Sequence, residues 1–184
     1  FLLTDRVMEH RSECQKHEAD YNLNLLSPLL GTNIPEPQFD FQTDPELSEE
    51  WETLQNQNGG SPDYIIIHAG SGNSAPNLNL EQYQILAETI LQETEWQILL
   101  TGSPAESEIN QHLVDKISGN RIIDFSGKLN LVQLMECIRN ALLLITSSTG
   151  PLHLADAQNT PILGFFCPLP PHTPVRWGPY QQRE

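Results

Sequence analysis

The hydrophobic positions follow two rhythms, and the change comes near Tyr64. From there on, short apolar runs alternate with segments of helical spacing, an order that predicts a parallel sheet covered by helices. The predicted strands are Tyr64–His68 and residues 96–100, 121–125, 142–145 and 161–166. Most are nearly unbroken apolar runs of strand length, as expected where a strand is covered on both faces. Between the strands, a helix over 80–94 places Leu80, Tyr83, Ala87 and Ile90 on one face. Ser103-Pro104-Ala105-Glu106 combines an N-cap serine, a proline suited to a first helical position and a glutamate three residues after the cap, so it opens another helix. Asn130 and Gln133 open a third, with Leu131, Leu134, Met135 and Ile138 directed to the core. The fold class read from this rhythm is α/β.

The chain before Tyr64 reads differently. Tyr21, Leu25, Leu26 and Leu29 recur at helical spacing over 17–30, Gly31 is placed to end that helix, and Pro28 inside it predicts a kink or an early end. Residues 34–37 hold two prolines and read as an extended linker, while Phe39 and Phe41 alternate with polar residues as in a short edge strand. Asp44-Pro45 signals a helix start, and Asn58-Gly59-Gly60-Ser61-Pro62 is a break.

The stretch 142–168 carries the candidate chemistry. It reads as a buried strand, a polar turn with hydroxyls at Thr146, Ser147, Ser148 and Thr149, a short helix and a second strand. Gly150 lets the backbone approach a ligand, and Pro151 suits the first helical position. The amides of Leu152 and His153 are expected to be free, and free amides backed by a helix dipole attract phosphate or another anion. An ordinary hydroxyl-capped strand-to-helix turn accounts for the same residues. The glycine loop Gly70-Ser71-Gly72-Asn73 ends the first strand, where open α/β sheets bind ligands.

With 184 residues, 9 basic against 24 acidic side chains and a formal charge of -15, the chain is large enough for one α/β domain and has no surface suited to nucleic acid. An anionic ligand must then be held by local amides. Cys14, Cys137 and Cys167 share no metal or redox spacing and read as reduced thiols, and none of His10, His17, His112 and His172 has zinc-ligand spacing. No run is apolar and long enough to cross a membrane, no nucleophile is marked, and no metal or cofactor is expected.

Six segments in this order carry a resemblance: 68–75, 101–106, 127–129, 148–155, Thr160-Pro161 and Arg176-Trp177-Gly178-Pro179-Tyr180. On them the chain resembles family 9 glycosyltransferases, the group of the ADP-heptose:lipopolysaccharide heptosyltransferases. The resemblance implies the carboxyl-terminal half of a GT-B enzyme, a Rossmann-like parallel sheet with helices on both faces that holds a nucleotide sugar, an ADP-sugar being favoured. Residues 61–184 are then the nucleotide-sugar-binding domain, truncated at its end, and residues 1–60 are helices and linker left from the preceding domain, which binds the saccharide acceptor and supplies the catalytic base. The chain is accordingly expected to be a piece of a larger protein or a cut-down relative, cytoplasmic, acting at the inner face of the membrane on a saccharide or lipid-linked acceptor such as lipopolysaccharide core. No catalytic residue is expected within it, and by itself it is expected to be inactive; a nucleotide-binding module that has lost activity is the alternative.

The resemblance also implies the site. The donor's diphosphate lies over Ser148, Thr149, Gly150, Leu152 and His153, helped by Ser71, Gly72 and Asn73. Glu106 matches a carboxylate that serves the nucleoside, unless it only caps its helix. Lys128 reaches the phosphates or is a solvated lysine, and His153 donates to the ligand or packs under the turn. His68 is expected to hold the glycine loop, and Trp177 and Tyr180 to pin the chain end. Two departures from the family stand out: Pro76 where a lysine is typical, with Leu78 and Asn79 in place of the aromatic-proline pair that follows it, and Ser148 where an aspartate is typical.

Overall fold

The computed structural model describes residues 6–31, 34, 35, 37, 39, 41, 44–72, 77–117 and 119–182. Asn73 and Pro76, both singled out above, lie outside the described residues. Five parallel strands make the sheet: β1 (Tyr64–His68), β2 (Gln97–Leu100), β3 (Ile122–Asp124), β4 (Leu144–Ser147) and β5 (Ile162–Phe165). Their order is β3-β2-β1-β4-β5, so strand order reverses between β1 and β4, the point where sheets of this kind leave a crevice beyond the strand ends.

Eight α-helices are described: α1 (Glu18–Asn24), α2 (Ser27–Leu30), α3 (Pro45–Gln57), α4 (Leu80–Glu93), α5 (Ser107–Lys116), α6 (Leu131–Arg139), α7 (Gly150–Ala157) and α8 (Pro174–Trp177). Ile65, Ile67, Ile98, Leu100 and Ile145 pack on one face of the sheet with Tyr83 and Ala87 of α4 and Leu113 of α5. Ile66, Leu99 and Leu144 pack on the other with Trp51 of α3, Cys137 and Ile138 of α6 and Ala155 of α7. Alternation along strands buried throughout sends neighbouring isoleucines of β1 to opposite layers, which is why a run as plain as Tyr-Ile-Ile-Ile-His holds the centre. The sheet is thus α/β with helices on both faces.

The caps read from sequence are in place. The Asp44 side chain accepts the Glu46 amide at 3.0 Å, and Asn130 and Gln133 form a reciprocal capping box at the start of α6. The helix expected over 17–30 is broken into α1 and α2 just before Pro28, the ring having no amide to continue the ladder. Its expected apolar face is not buried as a whole: Tyr21 is buried, whereas Leu25, Leu26 and Leu29 are exposed. Leu131 is likewise exposed, because α6 turns Leu134, Cys137 and Ile138 to the sheet instead. Phe39 and Phe41 are in no strand; Phe39 lies against Tyr180, ring to ring at 6.4 Å.

Strand β4 is shifted against the expected 142–145. Thr146 pairs with His68 and Gly164, and Ser147 with Phe165, so two residues expected in the turn are fully buried ladder positions. The ladder takes hydroxyl residues as readily as apolar ones because it is made by backbone groups, and threonine suits a pleated surface.

Two long-range features complete the domain. Helix α3, within the stretch 1–60, covers the sheet with Trp51, whose ring lies 5.7 Å from that of Phe125 and 6.0 Å from that of Tyr64. The chain end is held to α7 by the buried Asp156, whose carboxylate accepts the amides of Tyr180 (2.5 Å), Gln181 (3.1 Å) and Gln182 (3.1 Å). Around it, His17 accepts the Ala19 amide on Nδ1 and donates from Nε2 to the Gly178 carbonyl at 2.9 Å, and the Tyr180 hydroxyl donates to Asp20 at 2.8 Å.

Truncating Trp51 to alanine empties the space under α3 and is expected to cost about 3–5 kcal/mol, read from the shift of a urea unfolding curve. Leu29→Ala, on an exposed position, is expected to stay within about 0.5 kcal/mol of the parent protein.

Candidate functional site

Parallel pairing of β1 with β4, with His68 opposite Thr146, brings the loop after β1 and the start of α7 side by side at the carboxyl edge of the sheet. Between them opens a cavity of about 450 Å³ lined by His68, Ser71, Gly72, Thr101, Glu106, Thr149 and Gly150, with Phe125, Leu129 and Leu134 as its apolar part. A second cavity, of about 380 Å³, lies on the other side of the same helix start and is lined by Ser148, Thr149, Gly150, His153, His172, Arg176 and Trp177. Thr149 and Gly150 belong to both.

The start of α7 has an unusual cap. Thr149 has the extended backbone of an N-cap residue, but its side chain makes no cap hydrogen bond; Oγ1 instead pairs with Thr146 Oγ1 at 3.1 Å and donates to the Ser147 carbonyl at 3.4 Å. The helix therefore begins without a side chain over its amides, a position that favours an oxyanion. The expectation that Leu152 offers a free amide is corrected: its N–H donates to the Thr149 carbonyl at 3.1 Å, tightening the first turn, and its side chain is fully buried. A Cβ built on Gly150 meets nothing within 4 Å, so this backbone faces open space shared by the two cavities.

Glu106 ties three elements together. Oε2 accepts the Ser103 amide and hydroxyl, both at 2.8 Å, and Oε1 accepts the Gly72 amide at 3.2 Å. Partial burial works against its charge, yet the hydrogen bonds from Ser103 and Gly72 and the nearby His68 hold its carboxyl below the ordinary range. The helix-capping role is present, and the same carboxylate fixes the glycine loop. A Cβ on Gly70 would run into the Glu106 carboxylate, so a larger residue there would have to push that side chain off Ser103 and Gly72. His68 sits beneath, with Nδ1 2.9 Å from Thr101 Oγ1; burial pushes its imidazole below the ordinary value despite Glu106, so it stays neutral at neutral pH.

Of the expected site residues, the structure brings Ser71, Gly72, Glu106, Ser148, Thr149, Gly150 and His153 to these cavities. It does not bring Lys128, which is exposed and donates to the Asp124 carbonyl at 2.7 Å. His153 is half-buried, and burial, with His17 adding to it, lowers its pKa against the opposing pull of Asp156. Sequence reasoning missed Asn77, which bonds the Ala69 carbonyl and accepts the Tyr83 hydroxyl at 2.5 Å, fastening the loop to α4. It also missed Arg176 as a cavity residue, although the Arg-Trp-Gly-Pro-Tyr segment had marked the position. Among the described residues no group of His, Cys, Asp and Glu side chains is arranged to hold a metal ion.

A family model, glycosyltransferase family 9 (heptosyltransferase), matches residues 2–184. The chain belongs to this family. A Haemophilus influenzae protein assigned as a glycosyltransferase is 34% identical over 190 residues, covering 97% of this chain and 54% of that protein. The Haemophilus influenzae lipopolysaccharide core heptosyltransferase OpsX is 26% identical over 157 residues, 82% of this chain and 42% of that protein. This family 9 chain thus spans about half the length of the curated relatives it matches. Its fold is shared by the family 9 glycosyl transferase of Veillonella parvula (TM-score 0.82, 24% identity, 98% of this chain and 51% of that one) and by the E. coli heptosyltransferase WaaC with ADP (TM-score 0.63, 19% identity, 90% and 48%).

The Glu106 tie generates a pH-dependent outcome. A carboxyl held below its ordinary value adds stability that is fully present above 4.5 and is lost as pH falls through the lower folded value. Thermal melts of Glu106→Gln against the parent protein are expected to differ at neutral pH and to converge in acid. A difference that did not narrow at all as the pH falls from 4.5 into acid would show that the charge is not what matters.

Proposed function

We propose that this family 9 chain is the donor-binding half of a glycosyltransferase and holds the nucleoside diphosphate of a nucleotide sugar across the start of α7. The observation that carries the reading is the bare, open helix start at Thr149–Gly150 lying between two cavities. The nucleoside fits the cavity with Phe125, Leu129 and Leu134, where an aromatic and aliphatic wall suits a base and the Glu106 carboxylate, with lone pairs to spare, suits a ribose diol. The sugar then enters the cavity of Ser148 and His153, whose neutral imidazole offers a hydrogen bond to a sugar or phosphate oxygen. Charge that grows on the leaving diphosphate meets fixed amide dipoles, which need no reorganisation during transfer. ADP-sugars, ADP-heptose first among them, are the favoured donors; the ADP bound by the E. coli neighbour supports that choice. No separate cofactor is invoked.

In this reading residues 61–184, with α3 packed on them, form the donor domain of a GT-B enzyme, and most of residues 1–60 lead from a preceding domain that carries the acceptor. The acceptor is a saccharide or lipid-linked saccharide such as lipopolysaccharide core, met in the cytoplasm at the inner face of the membrane. Among the described residues of the two cavities the one carboxylate, Glu106, is engaged through both oxygens, so in this reading the general base comes from the preceding domain and the chain by itself is expected to turn over nothing. A second reading, a nucleotide-binding module without activity, is favoured by Lys128 being spent on a backbone carbonyl and by Ser148 standing where the family has a carboxylate. Sugar transfer from ADP-heptose by the protein joined to its acceptor-binding half separates the two.

Calorimetric titration with ADP, GDP and UDP tests the donor site, and ADP is expected to bind tightest. Gly150→Val fills open space with a branched side chain, so it is expected to remove binding while the melting temperature holds. Lys128→Ala, which loses one screened and already engaged cation, is expected to weaken binding no more than about threefold. The opposite order, with Gly150→Val neutral and Lys128→Ala unable to bind, would remove the helix start from the site.

A further inference from the structure

With Lys128 turned away, the chain's charge of -15 leaves a bound diphosphate short of positive partners. Among the described residues lining the two cavities, the single permanent cation is Arg176. It belongs to α8, which follows β5, and lines the cavity that also holds Ser148, Thr149, Gly150 and His153. Its guanidinium lies 5.1 Å from the centre of the Trp177 ring and is little exposed, so its position is held by packing. Nε donates to Glu18 Oε2 at 2.8 Å and Nη1 to the Arg11 carbonyl at 3.4 Å. Glu18 also accepts from Arg11, so one carboxylate holds two arginines. A guanidinium has five donors in a planar fork matched to oxyanions, and Arg176, which lines the cavity, has donors beyond those given to Glu18, the Arg11 carbonyl and the Cys14 side chain.

We propose that Arg176 is the phosphate-binding cation of the donor site, meeting the sugar-side phosphate of the nucleoside diphosphate, and that Glu18 restrains it when the site is empty. The inference rests on the donor-site reading for its ligand and adds a residue to it. A phosphate over Thr149–Gly150 and the Glu18 carboxylate then share one cation. Binding at α7 draws Arg176 partly away from Glu18 and loosens the hold of α8 on α1, so donor occupancy is felt at the segment 11–18, before the sheet begins. The cation–π contact with Trp177 stays with the guanidinium while its partner changes, and its planar fork is a feature that lysine cannot reproduce.

The test is calorimetric titration of the protein, Arg176→Gln and Glu18→Gln with inorganic pyrophosphate and with ADP. Loss of a charge-assisted bond is expected to weaken both ligands for Arg176→Gln by about tenfold or more. Glu18→Gln breaks the same internal pair but leaves the cation, and is expected to bind both ligands at least as tightly as the parent protein. Unchanged binding by Arg176→Gln, or an equal loss in Glu18→Gln, overturns the proposal and shows the arginine to be a strut; ADP binding by the parent protein would leave the donor-site reading standing. Pyrophosphate binding that depends on Arg176 with no binding of ADP, GDP or UDP would do the reverse. If the parent protein binds neither pyrophosphate nor any of the three nucleotides, both are withdrawn.

Discussion

The parallel pairing of β1 with β4 is the constraint on which the rest depends. β1 is buried along its whole length and has a partner on each edge, and its pairing with β4 joins segments that lie some 80 residues apart in sequence. Because side chains alternate strictly along a strand, the register that sets Ile66 opposite Leu144 also sets His68 opposite Thr146 and turns both to the same face. A slip by one residue would send the isoleucines to the wrong layers and separate the loop after β1 from the start of α7. The site is thus a by-product of satisfying the core. Its two loops are neighbours because their strands are, and the strands are neighbours because each needs a backbone ladder on both sides.

The polar residues at the strand ends are organised by the same logic. His68 with Thr101, Thr146 with Thr149, and Asn110 with Ser126 are side-chain pairs placed where the apolar layers end and the crevice begins. Each meets a buried polar group with another polar group, whereas the buried Ser147 hydroxyl beside them has no hydrogen-bond partner. Thr149 is spent in this way, and that is why its hydroxyl does not cap α7. What the helix start lacks in a cap, the layer beneath it has used.

Much of this was legible in the sequence, and the part that was not has a common physical character. β1, the Asp44 and Asn130 caps and the break before Pro28 depend on residues within a turn or two of one another, where steric and hydrogen-bonding rules act directly. The shifted β4 was misjudged because Thr146 and Ser147 look like turn residues until the ladder to His68 and Phe165 is known. Leu131 and the exposed leucines of α1 and α2 look like core until the facing element is known. Sequence gives Lys128 a role because it follows a strand end, and shows Arg176 only as part of the Arg-Trp-Gly-Pro-Tyr segment. Which of them lines the crevice is decided by a carbonyl beside the first and by a chain reversal that carries the second back against α7.

The collar of amides around Asp156 has a consequence for how the chain can vary. The carboxylate is held by the backbone of residues 180–182, so it reads the path of the tail and is blind to most of what the tail's side chains are. The Gln181 and Gln182 side chains add bonds to the carbonyls of Asp156 and Thr160, but the carboxylate itself asks only for their amides, which excludes proline. Asp156 has no such latitude: asparagine has the shape but one acceptor oxygen in place of two, and glutamate carries the charge too far for so closed a space. A single residue on a helix can therefore anchor a segment through its backbone, so that this anchor survives any change in the segment that spares the amides.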